Sequence, residues 1–316
     1  MANTNVKGTL LALLAFAIYA TSDAVVKWLG ARFAPEQMLF FSQLMAFPLL
    51  TLMMVRDTTD SNLRPRHPWW VAIHTAAQVL GGLGSFYTFS VLPLAQAYSI
   101  LFSMPIMITL LAIPVLGERV GRHRGIAIVV GLIGVLIVLR PGVSSLSLGH
   151  VAGLFSAFAS ALSAVIMRRI GGVERSTVLL IFPMLGNVIL MGAALPLVYK
   201  PMDLIDLGAA ASIAVMTFLA MVVLIAAYRL GEAAVASSMQ YSQILWAVVF
   251  GDLFFHERLD GWTGIGACVV IASGLYIVLR ESRGQASENR PVLSARSRFI
   301  TGIMPRLGAL LQRPKQ

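Results

Sequence analysis

The sequence predicts an all-α integral membrane protein whose ten transmembrane helices form two inverted five-helix repeats. Three observations predict it. Of the 316 residues, 58% are hydrophobic and 12% charged, against about 25% charged in an ordinary soluble domain. The apolar residues gather in runs of roughly twenty, the length that crosses a hydrocarbon core as a helix. The second half of the chain also repeats the first.

The runs cover 8–29, 35–55, 69–91, 94–116, 123–140, 149–169, 176–198, 207–229, 232–254 and 262–280. Each is continuously apolar, not alternating, which argues against barrel strands. A continuous run in lipid must satisfy its own backbone polar groups, and a helix does so. The first run follows a single lysine, Lys7. It outlasts the apolar core of a signal peptide and shows no small-residue cleavage site, so it is read as a retained helix. Two hinges are very short, Leu92-Pro93-Leu94 and Gly231-Glu232.

Lysine and arginine set the orientation. With the N-terminus in the cytoplasm, inner loops and tails hold 19 of the 24 basic residues, leaving Lys27, Arg32, Arg140, Lys200 and Arg258 outside. Both termini are therefore expected in the cytoplasm, in a bacterial inner membrane. The formal charge of +10 does not point to nucleic acid, because the basic residues sit in short clusters between apolar runs. The tail, 281–316, is expected to be a disordered basic segment; attraction to anionic lipid is the other reading. The lone Cys268 excludes a disulfide framework or zinc site, and no cofactor is implied.

The repeat has a consistent offset. Glu118-Arg119 follows the fourth run and Glu257-Arg258 the ninth, 139 residues later. Gly125 and Gly264 keep that spacing, as do Ala95 and Ala97 with Ala234 and Ala236, and Ser99 and Ser103 with Ser238 and Ser242. After a one-residue slip Ile137-Val138-Leu139-Arg140 recurs as Ile277-Val278-Leu279-Arg280, and with a shift of two Ser22 and Lys27 fall on Ser163 and Arg168. Two repeats, 1–140 and 141–280, each with an odd number of spans, enter the membrane from opposite sides. Inverted halves can exchange conformations around one central site, which points to a transporter.

These features resemble the EamA-type members of the drug/metabolite transporter superfamily over roughly 7–281. The resemblance rests on the helix count, the repeat, the Ala-x-Ala entry to the fourth and ninth helices, Gly117-Glu118-Arg119 and His256-Glu257-Arg258. His256 stands where the family usually has glycine. The stretch from Tyr241 through Trp246 to Gly274 and Arg280 looks most like a proteobacterial subgroup labelled metabolite, riboflavin or S-adenosylmethionine transporters. The resemblance implies amino acids and related metabolites as the commonest cargo, with riboflavin, nucleoside-like compounds or S-adenosylmethionine as the alternative.

Polar residues inside a membrane usually face the bundle interior or a cavity. Gln96, Ser99 and Ser103 share one helical face, as do Ser238, Tyr241, Ser242 and Trp246. Gln78 in the third run matches Thr217 in the eighth. Tyr19, Ser22 and Asp23 in the first run, with Ser160 and Ser163 in the sixth, complete a candidate substrate pathway. For each serine alone, helix packing is the competing explanation. Asp23 is the coupling candidate, for a proton or a substrate ammonium; its alternative is an i, i+4 pair with Lys27. His74 could relay protons or be a hydrogen-bonded interior histidine. Glu118, Arg119, Glu257 and Arg258 read as structural groups fixing the turns into the fifth and tenth helices, and Pro105 and Pro114 as kinks. Ala127 and Gly131, and Gly264, Cys268 and Ala272, have the small-residue spacing of close helix contacts, within the chain or in a homodimer.

No Gly-rich loop with Lys-Ser/Thr is present, so ATP hydrolysis is not expected. Neither paired acids nor a nucleophile turn at one depth suggests an enzyme. The expected partners are a small-molecule substrate and the lipid bilayer. A non-transporting scaffold is the remaining alternative; it would tolerate loss of the central polar stripe.

Overall fold

The computed structural model describes residues 2–55, 64–117, 122–140, 146–230 and 233–282. The tail beyond 282, together with Glu118 and Arg119, lies outside them. The described residues form helices α1 (Ala2–Gly30), α2 (Pro35–Val55), α3 (Pro68–Val91), α4 (Leu94–Leu101), α5 (Met104–Leu116), α6 (Arg122–Leu139), α7 (Leu148–Ile170), α8 (Ser176–Val198), α9 (Leu204–Leu230), α10 (Ala233–Ser238), α11 (Gln243–Phe255) and α12 (Gly261–Ser282). A 3-10 turn, Met239–Ser242, joins α10 to α11.

Among the described residues, five helices are long and apolar enough to cross a membrane: Val6–Gly30, Leu94–Leu116 across the α4–α5 break, Leu148–Ile170, Thr177–Val198 and Leu204–Leu230. Gly125–Leu139 and Gly261–Ile277 are shorter apolar helices. α3 is not among the five. It carries His74, Gln78, Ser85 and Thr88, which lower its hydropathy, and three of these are buried against other helices. Leu197, Leu204, Leu148, Leu245 and Phe254 are each more than 60% exposed, a surface suited to an apolar solvent and not to water.

Most of the pairings in the bundle are antiparallel; that of α2 with α9 is parallel, since both helices start beside Lys200. α1 lies along α9, α3 along α7 and α6 along α12; α2 packs on α8 and α9, and α4 on α11. Small residues permit these approaches. A Cβ on Gly84 would come within 2.9 Å of the Ala152 carbonyl oxygen across the α3–α7 contact. One on Gly266 would come within 2.7 Å of the Gly134 carbonyl oxygen across α6–α12. The Ser273 hydroxyl donates to the Ala127 carbonyl at 2.6 Å, so the Ala127–Gly131 face is used within the chain. Between α3 and α7, the Ser85 and Ser156 hydroxyls meet at 2.6 Å, and Ser156 also reaches the Gly81 carbonyl at 2.7 Å. In membrane bundles such bonds contribute about 0.6–2 kcal/mol each.

Charged side chains mark the two ends. At one end, Lys27 after most of α1 meets Glu257 beyond α11. Arg32 pairs with Asp206 at the start of α9, and Arg140 with Asp260 before α12. The Gln37 amide joins α2 to Lys200 beyond α8 through two backbone bonds, 2.6 and 2.9 Å. At the other end, the buried Glu174 accepts from the backbone N–H groups of Arg66 and His67 at 3.0 Å. It thereby satisfies donors at the start of α3 that no helical carbonyl can reach.

Gly266→Ala should lower the melting temperature of the purified protein by several degrees, since the added methyl meets backbone, and overpacking costs about 1–3 kcal/mol. Gly208→Ala, where a Cβ meets nothing within 4 Å, should leave it unchanged or raise it slightly in the same fluorimetric melt.

Candidate functional site

The fourth run is read from sequence as one kinked helix, but the structure splits it in two. Pro105 has no amide hydrogen to give the Leu101 carbonyl. α4 therefore ends at Leu101, and Phe102 and Ser103 form a turn before α5. The chain tightens there: Ser103 N–H donates to Ile100 at 3.0 Å and Ile106 N–H to Ser103 at 3.0 Å. The ninth run, also expected as one helix, is interrupted by the 3-10 turn without a proline. The offset of 139 places Ser103 on Ser242, so the two interruptions fall at repeat-equivalent positions.

Both serines stand at helix starts, and neither hydroxyl caps its helix. The Ser103 and Ser242 Oγ atoms are buried and have no hydrogen-bond partner within the protein. Ser103 follows the start of α4 by nine residues, a rise of about 14 Å, near half the ~30 Å hydrocarbon thickness.

The interruptions pack on each other through aromatic rings. Phe102 and Tyr241 meet edge-on at 5.2 Å between centroids, Tyr98 and Phe102 lie 5.6 Å apart, and Phe89 and Tyr98 5.1 Å. The row runs from α3 through α4 to the 3-10 turn. The Tyr241 hydroxyl lies over Gly274 of α12, where a Cβ would overlap it.

One turn nearer the Lys27 end, polar groups from three helices converge. The Tyr98 hydroxyl of α4 donates to the half-buried Asp23 carboxylate of α1. Gln243 of α11, fully buried, approaches the same hydroxyl at 3.5 Å. Lys27, one turn along α1 from Asp23, directs its ammonium to Glu257 at 2.6 Å and to the Leu92 carbonyl at 2.5 Å. Glu257 is expected from sequence to fix its turn beside Arg258. It does hold a turn, but its partners are Lys27 and the Leu94 N–H at 2.9 Å. His256, in the left-handed region at φ 54°, turns the chain back so that Glu257 faces α1 and α4. Arg258 is exposed at a cleft.

The other pathway candidates take separate places. Ser22 of α1 and Thr217 of α9 meet at 3.3 Å. Ser163 of α7 meets the buried His74 of α3 at 2.9 Å, and the opposite nitrogen of that ring approaches the Leu179 carbonyl at 3.3 Å. Ser160 packs where Gly81 leaves room, its hydroxyl 2.9 Å from the position of a Cβ there. Ser99 donates to the Ala95 carbonyl of its own helix at 2.7 Å. Tyr19 is buried in the α1–α9 contact beside Phe16. Gln78 and Ser238 are half-buried. Trp246 is 37% exposed and stacks 5.7 Å from Phe250 on the outward side of α11. The structure thus gathers Asp23, Ser103, Tyr241 and Ser242 around the interruptions. It distributes Ser22, Ser160, Ser163 and Thr217 among helix contacts. Sequence reasoning missed Tyr98 as the Asp23 partner, and missed Gln243. The available signal was an amide next to Ser242 within an otherwise apolar run.

Helices long enough to span a bilayer, an apolar exterior and charges gathered at the ends define a multi-pass membrane protein. The chain belongs to the EamA-like transporter family, whose pattern matches residues 6–140 and again 147–279. Similar proteins include a riboflavin transporter of Rhizobium johnstonii, 26% identical over 88% of this chain and 93% of that one. A pseudopaline exporter, CntI, of Pseudomonas aeruginosa is 27% identical over 84% and 94%. An S-adenosylmethionine uptake transporter of Rickettsia bellii is 22% identical over 87% and 94%. A solved crystal structure with 16% sequence identity superposes with a TM-score of 0.60, over 89% of this chain and 100% of that one; that likeness concerns the fold. The chain is accordingly a membrane transporter of the drug/metabolite type, acting on small molecules within the bilayer.

Tyr98→Phe should destabilise the protein by about 1–3 kcal/mol by removing a donor from a half-buried carboxylate. In an Asp23→Asn background the same change should cost much less. Melting curves of the four-member cycle read this as a coupling energy above about 1 kcal/mol.

Proposed function

We propose that the chain is a secondary transporter that moves a small organic metabolite, an amino acid or related compound, across a bacterial inner membrane by alternating access. In this reading it spans the membrane ten times as two inverted five-helix repeats, with both termini cytoplasmic. The observation that carries the reading is the pair of helix interruptions at Ser103 and Ser242, at repeat-equivalent positions, each with an unpartnered buried hydroxyl. Interrupted helices that meet near the midplane are where transporters bind solutes, because irregular backbone there is tolerated only next to protein or a cavity.

The packing supports inverted halves. Exchanging the repeats turns the α1–α9 contact into α7–α3 and the α2–α9 contact into α8–α3; both members of each pair are present. At the Lys27 end lie the C-terminal ends of α1 and α3 with the N-terminal end of α4, and the N-terminal ends of α7 and α9 with the C-terminal end of α11. Corresponding helices therefore run in opposite directions.

The substrate pathway in this reading centres on Asp23, Ser103, Tyr241 and Ser242, with Asp23 as the coupling group. An alternative cargo is riboflavin, a nucleoside-like compound or S-adenosylmethionine. The aromatic row Phe89–Tyr98–Phe102–Tyr241 favours a solute with a flat ring, and two of the relatives are named for such solutes.

Amino acids, riboflavin, nucleosides and S-adenosylmethionine should be screened by thermal shift on the wild type and on Ser103→Ala/Ser242→Ala. One class should stabilise the wild type, with at least about tenfold weaker binding to the double variant, as expected for two lost hydrogen bonds. Equal stabilisation of both proteins would move the site away from the interruptions. Absence of stabilisation across the panel, in a folded protein, would favour the scaffold.

A further inference from the structure

We propose that Lys27 and Glu257 form the latch that closes the mouth of the transporter at the Lys27 end, and that this pair separates and re-forms in every transport cycle. The inference rests on the alternating-access reading. It assigns the two residues a role beyond fixing a turn.

The pair is constructed by several separate features. The Lys27 ammonium is 2.6 Å from Glu257 and also binds the Leu92 carbonyl, just past the end of α3. The second Glu257 oxygen accepts the Leu94 N–H, the first residue of α4. One contact therefore clamps α1, the α3–α4 hinge and the chain beyond α11. In the proposed repeats, the first two belong to one half and the third to the other. The Phe255 ring lies 5.4 Å from the same ammonium. The carboxylate reaches this position because His256 adopts a left-handed conformation and Glu257 N–H returns to the Gly251 carbonyl at 2.9 Å. Gly251 leaves the space: a Cβ there would stand 3.1 Å from the carboxylate.

The position fits a gate. Glu257 lines a surface cleft with Pro93, Gln96, Gly251, Arg258 and Thr263. Lys27 is one helical turn from Asp23, on the same face of α1. The pair thus stands between that cleft and the Asp23–Tyr98–Gln243 cluster. The side chains are only 11% and 18% exposed, so the attraction is poorly screened by water, while the cleft leaves a route by which water rehydrates both groups when they part.

The test uses the full-length chain with Cys268→Ser and a reporter cysteine, Ser242→Cys. Its reaction with a membrane-impermeant maleimide is followed in intact cells and in inside-out vesicles. In Glu257→Gln and in Lys27→Met, labelling from the outer face should rise at least about tenfold and labelling from the inner face should fall, because opening one mouth shifts the population away from the other. Lys27→Arg should keep the slow outer rate. Unchanged outer labelling in both charge-removing variants would overturn the latch. So would an equal rise from both faces, which reports general loosening. Since labelling needs no solute, a latch that behaves as stated in a chain that binds nothing in the thermal-shift panel would overturn the proposed cargo and binding site and leave the gate.

Discussion

Inside a bilayer no water is available to a backbone N–H or C=O, and each one left unpaired costs several kcal/mol. Most of this fold follows from that constraint, and its exceptions fall at the two helix interruptions. At residues 102–103 and 239–242 the chain gives up regular α-helical bonding. Pro105 removes the amide that the Leu101 carbonyl needs, and the backbone answers with shorter-range bonds instead of an open gap. Such an irregularity is tolerated only under cover. Phe102 and Ser103 are almost fully buried, and the Tyr241 ring closes over the α4 turn. Hydroxyls at that depth can bond only to protein or to whatever enters between the halves.

The same constraint sorts the charges. Acids and bases sit at the two ends of the bundle, and the buried acids there serve backbone groups as well as cations. Glu257 accepts from the start of α4 and Glu174 from the start of α3, where the helix dipole favours negative charge. Between the ends, polar contacts are mostly neutral: Ser85 with Ser156, Ser22 with Thr217, His74 with Ser163. Asp23 is the exception, an acid well inside an apolar helix, and it is held by a tyrosine hydroxyl.

Much of this was legible in the sequence because hydropathy is a local property. The runs 35–55 and 176–198 coincide with α2 and α8. The first interruption also had a local mark in Pro105. The second had none, since a 3-10 turn in a proline-free segment depends on what packs against it, and here that is Phe102 and Gly274. Partner choice was the least legible feature. Arg258 adjoins Glu257 in sequence, yet a single left-handed residue turns the carboxylate to Lys27, 230 positions away. His256 occupies a site where glycine reaches that conformation more easily, so the sequence hid the turn that makes the contact. The serines misled in a different way. Spacing places Ser99 and Ser103 on one face, but only the position lacking a regular helical turn leaves its hydroxyl without a carbonyl to bind.

The placement of small residues and charges also bears on how one half could move against the other. The long contacts α3–α7 and α6–α12 are lined by glycine and serine, which bring the backbones close and join them through serine hydroxyls. A rotation about an axis near the midplane displaces the ends most. At a lever arm of ~15 Å, half the hydrocarbon thickness, a turn of about 15°, comparable to known interface rotations, moves an end by about 4 Å. Contacts between the interruptions would shift by a fraction of that. An ion pair of 2.6 Å at the end is then broken outright, whereas the central aromatic row is only re-aimed. Strong, distance-sensitive interactions at the ends and adaptable ones in the middle are what a two-state gate around a persistent central site requires.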